Sequence, residues 1–180
     1  YFDYYLLHGI DSGSYQKFED LDCFRWLMDK KEQGLVRSPG FSFHGDAPLL
    51  DEILTKHPEL EFVQLQINYL DWDSQWIQSR ACYEAAVKHN KPGIVMEPVK
   101  GGTLAQVPAQ VRSLFQARSP QASPASWAIR FAAGLPGVMM VLSGMSNLAQ
   151  MEDNLSYMQD FQPLTDEEKA MVFQAAAMSN

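Results

Sequence analysis

The chain has 180 residues, 46% of them hydrophobic, and carries 14 Lys and Arg against 22 Asp and Glu for a net charge of -8. That size and apolar content suit one soluble domain with a substantial core, and no apolar run is long enough to cross a bilayer, so membrane insertion is not expected. The acidic balance, with no basic run or Arg-rich stripe, argues against nucleic acid as a partner.

Phe2 to Leu7 is an aromatic and aliphatic run of strand length, with His8 at its carboxyl end. Phe18 to Gln33 follows as a helix stopped by Gly34, then a strand over Leu35 to Phe43 and a helix over Ala47 to Lys56 that Pro58 closes off. Phe62 to Ile67 is the third strand, Trp76 to His89 the next helix, and Gly93 to Met96 a short buried strand. Ser123 and Pro124 open a helix over Ala125 to Ala133, Val138 to Leu142 is the fifth strand, and a helix over Asn147 to Tyr157 follows. Thr165 to Glu168 is a capping box that starts a terminal helix reaching about Met178. Cys23 and Cys82 form no C-x-x-C pair and read as small apolar residues in a reducing compartment, with no disulfide, no metal site and a cytoplasmic location expected.

Five strand-helix units in succession, with nearly continuous apolar strands, imply a parallel sheet covered by helices. A dinucleotide-binding open sheet would carry G-x-G-x-x-G at its first turn, whereas this chain has His8-Gly9-Ile10-Asp11-Ser12-Gly13. A complete (β/α)8 barrel takes about 250 residues. The expected fold is therefore α/β, an incomplete barrel, with residues 1–180 as one partial domain truncated at its amino-terminal side.

In a barrel, chemistry gathers after the carboxyl ends of the strands. Four polar clusters occupy that position: Ser42 to Asp46, Gln64 to Asp73, Glu97 to Gly102 and Ser143 to Asn147. The last runs from a strand into a helix start, whose amides and dipole suit a phosphate group. Gln150, Asp153 and Asn154 share one face of that helix and suit a ribose or purine, with N-cap chemistry and a solvated face as the competing reading. Gly101 and Gly102 permit close backbone approach to a pyrophosphate with Lys100 adding charge, or form an ordinary tight turn. Gln64, Gln66 and Asn68 lie on one strand face and suit a carboxamide if that face is a barrel interior, or form a costly polar insertion if it faces helices. Glu97 is a general base or a salt-bridge partner, and His8 a site histidine or a core one. His44 reads as a loop residue, His57 and His89 as surface residues at helix ends, and Trp26, Trp72, Trp76 and Trp127 as packing.

Tyr1 to Gly9, Gly40 to His44, Val95-Met96-Glu97-Pro98 with Gly101-Gly102, and Leu142 to Ser146 through Asn154 together resemble the aldo-keto reductases. The closest likeness is to the bacterial branch whose members often end in a ferredoxin-like iron-sulfur module. The resemblance spans essentially the whole chain and corresponds to about strands four to eight of the family barrel. It implies an oxidoreductase that passes a hydride between a nicotinamide cofactor, NADP(H) ahead of NAD(H), and an aldehyde or ketone.

By that resemblance His8 matches the catalytic histidine that polarises the substrate carbonyl. Ser42 and Gln64 match the ligands of the nicotinamide carboxamide, with Phe43 where an asparagine usually follows the serine. Glu97 stands where many members stack a tyrosine under the nicotinamide ring, and Lys100 and Gly101 fall in the pyrophosphate loop. Ser143, Gly144 and Met145 match the adenosine-phosphate loop, and Gln150, Asp153 and Asn154 the helix contacts beyond it. The family's catalytic aspartate, tyrosine and lysine lie on earlier strands, so this chain alone is expected to be inactive and to self-associate through exposed barrel edges. An iron-sulfur cluster belongs to the expectation for a longer parent, with no ligands for it in this chain. The alternative is a non-catalytic nicotinamide-binding or regulatory protein of the same fold, and a third reading is a hydrolase or lyase using His8 and Glu97 as acid and base.

Overall fold

Strand β1 covers Phe2–Ile10 in the computed structural model, which describes residues 1–179. It runs three residues beyond the expected end, so His8 lies inside the strand's last turn of pleat rather than after it. The expected single helix over 18–33 is two, α1 (Tyr15–Asp20) and α2 (Cys23–Glu32), because Asp22 takes a left-handed φ of 52°. Aspartate is among the few residues that tolerate this conformation, and Leu21 beside it is exposed, so nothing packs the two turns into one rod.

Strand β2 (Val36–Phe43) leads to α3 (Ala47–Lys56), where the Asp46 carboxylate caps the Leu49 N–H at 3.0 Å and Pro48 occupies the first turn. Strand β3 is Phe62–Gln66 and α4 is Ser79–Lys88. Helix α4 starts three residues later than its apolar pattern suggested because Gln78 is left-handed, at φ 55°. Trp76, left outside the helix, is 92% exposed, which corrects its reading as a packing residue.

Strand β4 (Gly93–Met96) ends in a 3-10 segment, Lys100–Ala105, and α5 (Ala109–Arg118) follows. Helix α5 had no counterpart in the sequence reading because it buries only Val111 and Phe115 among polar neighbours, too thin a stripe to signal a period. Then come α6 (Pro124–Ala133), β5 (Val138–Val141), α7 (Leu148–Met158) and α8 (Asp166–Ala177), the last with the expected capping box between Thr165 and Glu168.

The strands form one sheet in chain order, β1-β2-β3-β4-β5, and β1, β2 and β3 pair in parallel. The α/β class and the strand-helix alternation read from the sequence are both present. Gly40 faces Phe62 across β2 and β3, and a Cβ there would stand 2.6 Å from the Phe62 carbonyl oxygen and ring, so only glycine permits this pairing distance.

The chain divides into two compact units. The first holds residues 1–66 and 73–94, with Ile10, Leu27, Phe41, Leu50, Ile53 and Val63 fully buried at its centre. In it His57 stacks on Phe24 at 3.8 Å between Glu19 and Glu59, and His89 binds Asp51 at 2.6 Å. Both histidines keep under a fifth of their side-chain surface in solvent, which corrects their reading as surface residues. The second unit holds residues 67–72 and everything from Val95 on, centred on Phe115 stacked against Trp127 at 5.6 Å with Ala128, Val172 and Ala175. Cys23 and Cys82 are free thiols, and burial pushes that of Cys82 up to about 12. No helix among the described residues is long and apolar enough to cross a membrane.

Candidate active site

In the first unit the pairing register brings the expected residues to the ends of adjacent strands. Ser42 is opposite Gln64 on β3, and its hydroxyl oxygen accepts the Gly9 N–H at 2.7 Å. The β1/β2 register slips between Leu7 and Ile10, and Gly9 adopts a φ of 77° there. The slip presents His8 to solvent and aims the Gly9 amide at Ser42. Ser42 itself has no exposed surface, and its hydroxyl still has a proton to donate. An exposed imidazole, a held hydroxyl and an amide side chain at one strand-end edge can polarise a carbonyl and bind a carboxamide.

The second unit contains a cavity of about 680 Å³. Glu97, Gly101, Ser143, Gly144, Met145, Gln150, Asp153 and Asn154 all line it. Of the nine residues in this part of the chain that the family resemblance matches to the cofactor, eight therefore meet at one cavity. The ninth, Lys100, is not among its lining residues, and its ammonium lies 2.6 Å from each oxygen of Asp71. One wall is the segment Glu97–Gly102, in which Glu97, Lys100, Gly101 and Gly102 are all left-handed, at φ 54°, 48°, 60° and 98°.

The other wall is the start of α7. Asn147 caps the helix by accepting the Gln150 N–H at 3.0 Å, and Gln150 returns its amide oxygen to the Ser146 N–H at 2.7 Å. Asn154 donates to the Ser143 hydroxyl and accepts from the Tyr157 hydroxyl, both at 2.6 Å. Burial first, and the nearby Asp153 carboxylate second, push the Tyr157 hydroxyl above its ordinary range, so it stays a protonated donor. Asp153 accepts from Ser123, the cap of α6, at 2.7 Å. The N-cap reading of this helix holds at Asn147 and Gln150, while Asn154 and Ser143 form a polar pair at the cavity.

Sequence reading missed the support residues. Tyr157 was read only as the last residue of a helix, and Asp71 sat in a loop with no period to flag it. Asn68 was grouped with Gln64 and Gln66, but it turns out to be wholly buried and bonded to Asp71 and to the Glu97 carbonyl. Among the described residues no group of three or more His, Cys, Asp or Glu is arranged to hold a metal ion.

One sheet of strands that alternate with helices, parallel where they pair between β1 and β3, is the arrangement of (β/α) barrel proteins. The profile of the aldo/keto reductase family matches residues 1–177, so the chain belongs to that family. An aldo-keto reductase from Bacillus halodurans has a similar structure, with TM-score 0.74 and 19% identity over 96% of this chain and 61% of its own. An aldo-keto reductase from Klebsiella pneumoniae, solved in complex with NADPH, gives TM-score 0.70 and 16% identity over 98% of this chain and 58% of its own. A third, from Brucella melitensis, gives TM-score 0.71 and 16% identity over 96% and 60%. The chain thus spans about three-fifths of the length of these structures. A search of curated proteins finds no match.

Proposed function

We propose that the protein is part of an NAD(P)H-dependent oxidoreductase acting on a small aldehyde or ketone, and that this chain is the carboxyl-terminal portion of its barrel. The observation that carries the reading is the meeting of eight expected cofactor residues at one cavity, in a chain of this family. A volume of 680 Å³ falls in the range of cofactor sites. Backbone amides at the start of α7, the Ser143 hydroxyl and the open Gly101 and Gly102 suit the adenosine and phosphate portions of a dinucleotide. When bound, the nicotinamide ring supplies or accepts the hydride. Ser42 and Gln64 hold its carboxamide in this reading, and His8 donates a hydrogen bond that polarises the carbonyl to be reduced.

The lining includes Glu97 and Asp153 and, among the described residues, no Lys, Arg or His. Preference for NADP(H) over NAD(H) then depends on Ser143 and backbone amides meeting a 2'-phosphate without a cation. The likeness to the ferredoxin-containing branch, cytoplasmic location, inactivity of the isolated chain and its self-association belong to the same proposal. The last has support in exposed Phe2 and Tyr4 on β1 of the first unit and in exposed Met139 and Met140 on β5 of the second.

The test is a titration of the purified chain with NADPH and, separately, NADH, followed by cofactor fluorescence. Saturable binding that Asn154→Ala weakens about tenfold, with His8→Ala near wild type, is expected. No binding of either dinucleotide by a folded, monodisperse sample overturns the cofactor reading.

A further inference from the structure

The second unit contains an ion pair on a buried carboxylate that the proposed contacts do not use. Asp71 keeps 6% of its surface in solvent, and Asn68 none. Asn68 accepts the Asp71 N–H at 2.9 Å through its side-chain oxygen. Its amide nitrogen donates to the Asp71 carboxylate at 3.0 Å and to the Glu97 carbonyl at 3.3 Å. Lys100 completes the group by placing its ammonium 2.6 Å from both Asp71 oxygens. All the side chains and the wall they touch belong to the same unit.

The wall needs such support. Glu97 and Lys100 are non-glycine residues in left-handed conformations, a strained state that persists only when the surroundings over-determine it. Asn68 grips the segment at the Glu97 carbonyl and Asp71 grips it at Lys100, so the two strained residues are the two that are held. Between and just after them, Val99, Gly101 and Gly102 face the cavity.

We propose that Asn68 and Asp71 are positioning residues that fix the Glu97–Gly102 wall for the diphosphate of the cofactor, and that Lys100 serves binding through Asp71 rather than by touching the ligand. This rests on the cofactor reading above. It assigns Lys100 a different task from the charge donation its sequence context suggested. A direct contact would require the ammonium to leave a buried carboxylate, which would then lose its cation.

The two assignments differ in sign. If Lys100 touched the diphosphate, Asp71→Asn would release its ammonium and tighten NADPH binding. If the clamp is right, Asp71→Asn raises the NADPH Kd about tenfold or more, while binding of adenosine 2'-monophosphate, which lacks the diphosphate, stays within about twofold. Lys100→Met produces the same loss with no change in the salt dependence of Kd, and Lys100→Arg, able to keep a two-pronged bond to Asp71, restores affinity.

Unchanged or tighter NADPH binding by Asp71→Asn overturns the clamp, as does a reduced salt dependence in Lys100→Met. Should Asp71→Asn fail to fold, the two Lys100 variants carry the decision. Failure of the unsubstituted chain to bind NADPH overturns the cofactor reading instead. The clamp is then judged by hydrogen exchange at the Gly101 and Gly102 amides, where faster exchange in Lys100→Met supports it and equal rates overturn it.

Discussion

The first unit and the second present their candidate residues in opposite ways. In the first, Ser42 and Gln64 are rungs of a parallel ladder, and Ser42 is buried with the Gly9 amide bonded to it. In the second, the cavity is bounded by a left-handed loop and by α7, a helix with no buried residue. Where a site is built on paired strands, the backbone ladder fixes it and its side chains contribute to stability. Where it is built on a loop and an exposed helix, individual side-chain bonds fix it, and losing one changes the cavity more than the fold.

The comparison is tested most sharply at Gly40. Gly40→Val forces a side chain into the Phe62 carbonyl and ring, and urea unfolding should register a loss of about 3 kcal/mol. A loss below about 1 kcal/mol would mean that the ladder yields and does not fix the site.

Smaller is the effect of pH on the first unit. Burial alone would raise the Glu19 carboxyl, but hydrogen bonds from Lys56, His57 and Tyr15 outweigh it and hold the group at about 2, below its ordinary 4.5. A carboxyl depressed in the folded state contributes stability above the unfolded value and loses it as pH falls through the folded one. Unfolding measured between pH 5 and 2, a range set by ~4.5 and ~2, should therefore show a loss of stability that Glu19→Gln flattens. A profile unchanged by Glu19→Gln would remove this cluster from the account of the first unit's stability.

Ser42→Ala leaves the Gly9 N–H without its partner and should cost about 1 to 2 kcal/mol of stability, read from the same urea curves. The matching change in the second unit, Asn154→Ala, should leave stability within about 0.5 kcal/mol while it weakens dinucleotide binding. Equal stability losses from the two substitutions would erase the distinction between the units. Asn147→Ala removes the cap of α7 and should lower stability by about 1 kcal/mol or less.

Much of this was legible before the structure. Strand and helix alternation, the capping box and the cavity residues near Ser143 follow from short-range patterns, because caps, glycine turns and apolar runs are local chemistry. Helix α5 was invisible because its buried face is two residues wide. Left-handed Asp22 and Gln78 broke or delayed helices whose apolar period ran on regardless, since periodicity reports which face is buried and says nothing about a single φ.

The sequence by itself determined the α/β order, the family and eight of the residues that meet at the cavity. Only the tertiary structure decided what holds them there. The bond from Gly9 to Ser42 spans 33 positions, and those from Lys100 to Asp71 span 29. Partners at such separations are chosen by strand register and by the burial of charge, and a linear pattern records neither.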